Sequence, residues 1–256
     1  MRILKEHIPE IQKIWKAKFG STYDEGLRFL LDSDKVASKN LASLQIEIES
    51  GKPLQQIIGK WSFYNGEYFL CSNVLIPRPE TEAIIEKIRV SELNCNRILD
   101  LGTGSGCIAI ELSKIFLQAE VLGIDKSASA LETAKRNNYQ TENKVNFFQS
   151  DWFSNVNGKF DLIVSNPPYV CETNKIEPDL LFEPKEALFS KDNGLKDILK
   201  IINESREYLN PKGSIFLEHS PEQVSSIKDA LEIAQFKDIQ YGLDLKGMAR
   251  YTYAKR

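Results

Sequence analysis

The chain has 256 residues, 42% of them apolar, enough to bury the core of one large domain and a small one. A formal net charge of −3 gives no global pull toward nucleic acid or an acidic membrane surface. No apolar run reaches membrane-spanning length and the charged N-terminus does not read as a secretory signal; Cys71, Cys95, Cys107 and Cys171 form no C-x-x-C pair, so the expectation is a cytoplasmic protein with reduced thiols, without disulfides or bound metal.

Residues 1 to about 51 read as helices. Ile8, Ile11, Ile14 and Trp15 recur at helical spacing, Leu27, Phe29, Leu30 and Leu31 suggest a second helix, and Leu41, Leu44, Ile46 and Ile48 a third. This stretch carries no chemical motif. It is expected to form a small helical domain, residues 1–60, that presents a surface to a macromolecular substrate. Aromatic and β-branched residues around Asn65-Gly66 then predict a β-hairpin linker over 61–78. Pro79 suits a first helical turn, and Glu80 and Glu82 suit the positive end of the helix dipole.

From Arg97 onward, strands alternate with helices. Short apolar strands are expected at 97–101, 121–125, 145–148, 160–164 and 214–218, with two more near 238–241 and 249–254. Helices are expected at 107–116, at 195–209 closed by Asn210-Pro211-Lys212-Gly213, and from a capping box of Ser129 with Glu132 to about Tyr139. Ser220, Pro221 and Gln223 fit the N-cap, N1 and N3 of another. The alternation predicts an α/β domain over 79–256, a mostly parallel sheet covered on both faces.

Chemistry concentrates at the strand ends. Asp100-Leu101-Gly102-Thr103-Gly104-Ser105-Gly106 ends in a glycine loop whose third glycine comes one residue earlier than in the dinucleotide fingerprint. Glycines let such a loop turn sharply and approach a ligand closely. The loop resembles the first motif of S-adenosylmethionine-dependent methyltransferases, in which Asp100 would meet the cofactor's ammonium and the loop amides its carboxylate. Asp125 ends the second strand, where a carboxylate accepts from ribose hydroxyls. Asp151-Trp152 follows the third: Asp151 is a candidate for the adenine amino group and Trp152 for the ring.

Ser165-Asn166-Pro167-Pro168-Tyr169 follows the fourth strand. Two prolines cannot donate to a ladder, so the strand must end there in a stiff, extended loop. Asn166 Oδ1 and the Pro167 carbonyl are candidate acceptors for a planar amino group, with Tyr169 as a flat wall beside it. Asn166, Pro167 and Tyr169 are the expected catalytic residues, Pro168 completes the substrate-binding loop, and Asn166 is also expected among the cofactor-binding residues with Asp100, Gly102 to Gly106, Asp125, Asp151 and Trp152.

Together these residues resemble the HemK-type peptide-chain release factor glutamine methyltransferases. The matches are Pro53-Leu54-Gln55, Ile76 to Glu82, Asp100 to Gly106, Asp151-Trp152, Asn166 to Tyr169, and Glu183-Pro184 with Ala187-Leu188. The resemblance implies a seven-stranded Rossmann-like sheet with its last strand antiparallel, behind a small helical domain. It implies S-adenosylmethionine as cofactor and the glutamine of the Gly-Gly-Gln motif in class-1 release factors as substrate; separately, the slightly acidic chain is expected to be a monomer without direct nucleic-acid binding. The N-terminal domain reads as shorter than the family's, and Glu218-His219-Ser220 stands where the family tends to have Glu-Ile-Gly. His219 is expected to be a strand-end packing or surface residue rather than a base. Arg78 and Glu80 read equally as bridge or as cleft residues. Alternatives are a ribosomal-protein glutamine substrate, adenine-N6 methylation of nucleic acid, and an inactive cofactor-binding adaptor.

Overall fold

The computed structural model describes residues 7–20, 24–140, 145–173 and 178–256. Residues 1–6 and 21–23 of the expected helical region lie outside them. The N-terminal helices are α1 (Ile8–Phe19), α2 (Asp24–Leu31), α3 (Asp34–Ala37), α4 (Leu41–Glu49) and α5 (Leu54–Ile58). Ser33 caps α3 by accepting from the Val36 amide, and Asn40 caps α4 by accepting from that of Ser43. Their inward residues, among them Ile11, Trp15, Leu30, Leu44, Ile48 and Ile57, form a core of their own.

A hairpin of β1 (Lys60–Phe63) and β2 (Gly66–Phe69) follows. Phe63 pairs with Gly66, so the turn is Tyr64-Asn65, one residue earlier than Asn65-Gly66 suggests. Tyr64 itself adopts the left-handed conformation, at φ 52°. The hairpin is fastened to the larger domain through β2, by the Tyr68 side chain and the Phe69 backbone. Tyr68 is fully buried with its hydroxyl on Glu111, and the Asn137 side chain brackets the Phe69 peptide, accepting at 2.7 Å and donating at 3.1 Å.

The rest alternates: α6 (Pro79–Val90), β3 (Arg97–Leu101), α7 (Cys107–Ile115), β4 (Glu120–Asp125), α8 (Ala128–Gln140), β5 (Val145–Gln149) and β6 (Phe160–Ser165). Short elements β7 (Val170–Cys171), α9 (Lys185–Leu188), β8 (Phe189–Ser190) and the distorted turn α10 (Lys191–Gly194) precede α11 (Lys196–Tyr208). Then come β9 (Leu209–Glu218), α12 (Val224–Ile233), β10 (Lys237–Leu243) and β11 (Ala249–Lys255).

Seven strands form one sheet in the order β10-β11-β9-β6-β3-β4-β5, with β11 antiparallel to both its neighbours. The parallel strands β3, β4, β5, β6 and β9 therefore all end on one edge. Apolar clusters cover the two faces, one around Ile84, Ile98, Ile110 and Leu162, the other around Leu99, Ile163, Ile198 and Ile215. Helix α8 begins earlier than the Ser129–Glu132 box predicts, because Ser127 Oγ accepts from the Ala130 amide. Asn210 to Gly213 lies within β9 as an irregularity, with Lys212 at φ 67°. Among the described residues, no helix is long and apolar enough to cross a membrane.

Candidate active site

The edge where β3, β4, β5, β6 and β9 end gathers the chemistry. After β3, Gly102, Gly104 and Gly106 take φ of 70°, 54° and 81°, a region costly for residues with a Cβ. The loop is cross-braced to β4: the Thr103 amide donates to Ile124 O at 2.8 Å and the Gly104 amide to Asp125 Oδ2 at 3.0 Å. A Cβ on Gly106 would lie 3.0 Å from Phe147 and 3.1 Å from Ala134, whereas one on Gly104 would meet nothing within 4 Å. The loop thus packs tightly underneath and is open on top.

Asp100 is fully buried below this loop. Its Oδ2 accepts from the Thr103 hydroxyl at 2.5 Å, and Oδ1 has no partner. Burial pushes its pKa up to about 7. Asp125, half-buried, accepts the Gly104 amide on one oxygen and the Ser127 amide on the other, leaving a lone pair on each for a ligand. Trp152 stands over the first glycine: a Cβ on Gly102 would be 3.5 Å from its ring. The indole N–H donates to Asp197 at 3.3 Å, and the residue is held at φ 49°. Asp151 lies at the rim, exposed, capping the 3₁₀ turn Trp152–Asn155 and 3.6 Å from Lys200.

The loop after β6 sits beside the glycine loop, because β3 and β6 are neighbours and Ser165 Oγ donates to Leu101 O at 2.7 Å. Asn166 is half-buried, and its Nδ2 donates to Thr81 Oγ1 at 3.2 Å. Pro167 is buried; Pro168 and Tyr169 are partly exposed. The Tyr169 hydroxyl donates to Glu218 Oε1 at 3.1 Å, and burial together with that carboxylate raises the phenol's pKa. The Tyr169 carbonyl accepts from Gln223 Nε2 at 3.0 Å. Gly194 closes on the same carbonyl so nearly that a Cβ would stand 2.0 Å from it.

Glu218, at the end of β9, is fully buried, and its Oε2 has no partner. Burial lifts its pKa to about 7, against the opposing effects of Thr81, Tyr169 and Arg250. Arg78 forms an ion pair with buried Glu183, which also accepts the Ile76 amide at 2.7 Å. That pair joins the segment before α6 to the loop after Pro178. Gln56 of the N-terminal domain donates to Phe182 O in the same loop at 2.9 Å. Glu80 lies 3.8 Å from exposed Lys246. His219 is buried, with ring nitrogens 2.8 Å from Ser220 O and 2.8 Å from Thr252 Oγ1, a packing residue as expected.

The structure therefore brings Asp100, Gly102 to Gly106, Asp125, Trp152 and Asn166 to Tyr169 onto one edge, with Asp151 at its margin. Sequence reading missed Thr81, Gln223 and Gly194 as parts of this site, and passed over Glu218. Thr81 carried a signal, since it lies within Ile76 to Glu82, but it reads there as an ordinary first-turn residue.

A sheet in this order carries its glycine loop after β3, and the chain is a methyltransferase by family: the family described as "Methyltransferase small domain" matches residues 79–233. Solved structures share the fold. The 16S rRNA N2 G1207 methyltransferase of T. thermophilus, in complex with AdoMet and guanosine, matches with a TM-score of 0.57 and 19% identity, over 77% of this chain and 49% of that one. The ribosomal protein L11 methylase of Lactobacillus delbrueckii subsp. bulgaricus matches at 0.52 and 22%, over 69% and 77%. Sequence relatives are more specific. The release factor glutamine methyltransferase of Buchnera aphidicola subsp. Schizaphis graminum is 39% identical over 88% of this chain and 84% of that protein. That of Escherichia coli K12 is 34% identical over 99% and 90%. The chain belongs to the release factor glutamine methyltransferase family.

Proposed function

We propose that the protein transfers a methyl group from S-adenosylmethionine to the side-chain amide nitrogen of the glutamine in the Gly-Gly-Gln motif of class-1 release factors. The names of its relatives support this, and so does the fit of the site to the cofactor. An unpartnered buried carboxylate oxygen on Asp100 suits an ammonium. The open face at Gly104 suits a close-lying ligand, and the spare lone pairs of Asp125 suit ribose hydroxyls. Trp152 offers a ring wall, and Asp151 at the rim an acceptor for the adenine amino group. When bound, the cofactor supplies an electrophilic methyl on a sulfonium.

The chain's own task is alignment, since a glutamine amide nitrogen is a weak nucleophile. The observation that carries this reading is the orientation of Asn166: its Nδ2 is engaged by Thr81, which leaves Oδ1 to accept from the substrate. Asn166 Oδ1 and the Pro167 carbonyl accept the two amide hydrogens and direct the nitrogen. As that nitrogen gains positive character, both acceptors hold it more strongly. Tyr169, pinned at its hydroxyl by Glu218 and at its carbonyl by Gln223, walls the planar amide. The N-terminal helical domain, residues 1–60, is read as the release-factor docking unit, and the enzyme as a cytoplasmic monomer without nucleic-acid affinity.

The test is incubation of the enzyme and labelled cofactor with purified class-1 release factors, followed by peptide mass spectrometry. Label is expected on the motif glutamine and absent from a Gln→Ala substrate. Label elsewhere, or on a ribosomal-protein glutamine alone, rejects the assignment.

A further inference from the structure

Two peptide carbonyls cannot bond to each other, and each one drawn away from water needs a donor. Tyr169, after β6, and Asn193, in the turn α10, present such a pair to one side chain. Gln223 Nε2 donates to Tyr169 O at 3.0 Å and to Asn193 O at 3.1 Å. We propose that Gln223 is a positioning residue for methyl transfer: by bridging these two carbonyls it fixes Tyr169 where its ring walls the substrate amide. This rests on the glutamine-methylation reading above.

The bridge needs a primary amide. A glutamine side chain has two N–H donors and a carbonyl acceptor. Gln223 is buried and uses both ends, since its Oε1 also accepts from the Ser220 amide at 3.0 Å. That last bond fixes which way the amide faces. Turned over, it would set its oxygen against two carbonyls and its NH2 against an N–H. A side chain without donors, of whatever shape, leaves both carbonyls unanswered.

The turn that meets Gln223 is held in an unfavourable conformation. Asp192, Asn193 and Gly194 follow one another in the left-handed region, at φ 55°, 56° and 82°. A Cβ on Gly194 would stand 2.0 Å from Tyr169 O and 2.7 Å from Gln223 Nε2, so glycine is what lets the turn close on the bridge. Strain of this kind persists where surrounding contacts over-determine it, and it gathers at functional sites. Here the contacts are the Gln223 bridge and the pairing of β7 with β8, Val170 with Phe189 and Cys171 with Ser190. The Tyr169 hydroxyl is held at its far end by Glu218 at 3.1 Å. The residue is thus fixed at backbone and ring tip by side chains from the end of β9 and the turn that follows it.

The experiment compares wild type with Gln223→Met, Tyr169→Ala, the double variant carrying both, and Asn210→Ala. The last removes a hydrogen bond to Asp161, 2.7 Å long, at the opposite edge of the sheet, and controls for lost stability. Single-turnover methyl transfer to a release factor is measured at saturation, with release-factor KM and with cofactor affinity by calorimetry. In parallel, hydrogen exchange of the peptide covering residues 167–173 is followed by mass spectrometry in cofactor-free enzyme. Gln223→Met is expected to slow transfer at saturation about tenfold or more, the scale of one lost hydrogen bond, with KM and cofactor affinity unchanged. Once the ring is gone in Tyr169→Ala, adding Gln223→Met should cost no more than about twofold, because the two residues act as one unit. Exchange over 167–173 should rise about fivefold or more in Gln223→Met and keep its wild-type rate in Asn210→Ala. Wild-type turnover in Gln223→Met overturns the proposal. So do losses that multiply in the double variant, the mark of general destabilisation, and unchanged exchange over 167–173. If Gln223→Met does not fold, Gln223→Asn, one methylene too short to span both carbonyls, takes its place throughout. Absence of transfer by wild type to any release factor rejects the substrate reading instead, and the exchange comparison still tests the bridge.

Discussion

Tyr169 donates its hydroxyl proton to Glu218 across 3.1 Å, tying the loop after β6 to the end of β9. Removing that donor in Tyr169→Phe leaves a buried carboxylate with less to hold its charge. The variant is expected to lose about 1.5–3 kcal/mol of stability at pH 8, where Glu218 is ionised, and less at pH 5. Chemical denaturation at the two pH values measures the difference.

Asn166→Ala removes the side-chain acceptor without touching the glycine loop. Turnover should fall on the order of 10²–10³-fold, as for other single preorganised hydrogen-bonding groups. Cofactor affinity by calorimetry should stay at the wild-type value. Equal turnover in the purified variant rejects the role.

Asp125 is expected to act at the other half of the site. Asp125→Ala removes an acceptor for ribose and also frees the Gly104 and Ser127 amides that the carboxylate holds. Cofactor affinity should drop by about 10–100-fold, the scale of a hydrogen bond to a charged group. An unchanged calorimetric Kd counts against it.

Arg78 and Glu183 connect two distant segments, and Glu183 is buried. Glu183→Ala strands the Arg78 guanidinium and the Ile76 amide together. The expected loss is about 3 kcal/mol in urea denaturation, in the range for a broken buried pair. A double-mutant cycle with Arg78→Met separates the pair from the Ile76 bond.

Stability should respond to pH through the acids whose protonation the fold changes. Burial raises Asp100 and Glu218 from their ordinary values of 3.8 and 4.5 to about 7 in the folded state. The native protein therefore binds more protons than the unfolded chain between those limits, and the contribution of these groups to stability grows as pH falls from above 7. Further down, acids held low in the native state reverse the trend. Lys39 and Lys52 hold Glu47 low against burial, Asn210 and two backbone amides do the same for Asp161, and backbone amides hold Asp244 low. Thermal melts across pH should thus peak on the mildly acidic side.

Local chemistry made much of the fold legible from residues alone. Apolar runs of strand length, the Asn166-Pro167-Pro168 stop, Pro79 at a first helical turn and the Ser220–Gln223 box depend only on near neighbours, and they appear where the pattern puts them. Boundaries set by competing caps were less so: Ser127 rather than Ser129 opens α8, because Asp125 already holds the Ser127 amide. The bulge in β9 likewise follows from pairing with β6, not from Asn210 to Gly213 themselves.

The strand-end positions of Asp100, Asp125, Trp152 and Asn166 were written in the order of residues, because side chains that follow parallel strands must meet at one edge. What those side chains do to one another was not. Thr81 and Asn166 are 85 residues apart, and Tyr169 and Glu218 are 49 apart. Periodicity and capping report on contacts within a few residues; a hydrogen bond between distant segments exists only once the sheet has closed and excluded water. That burial is also what carries Glu218 and Asp100 toward neutrality, a property of the packed protein that no local stretch of either acid contains.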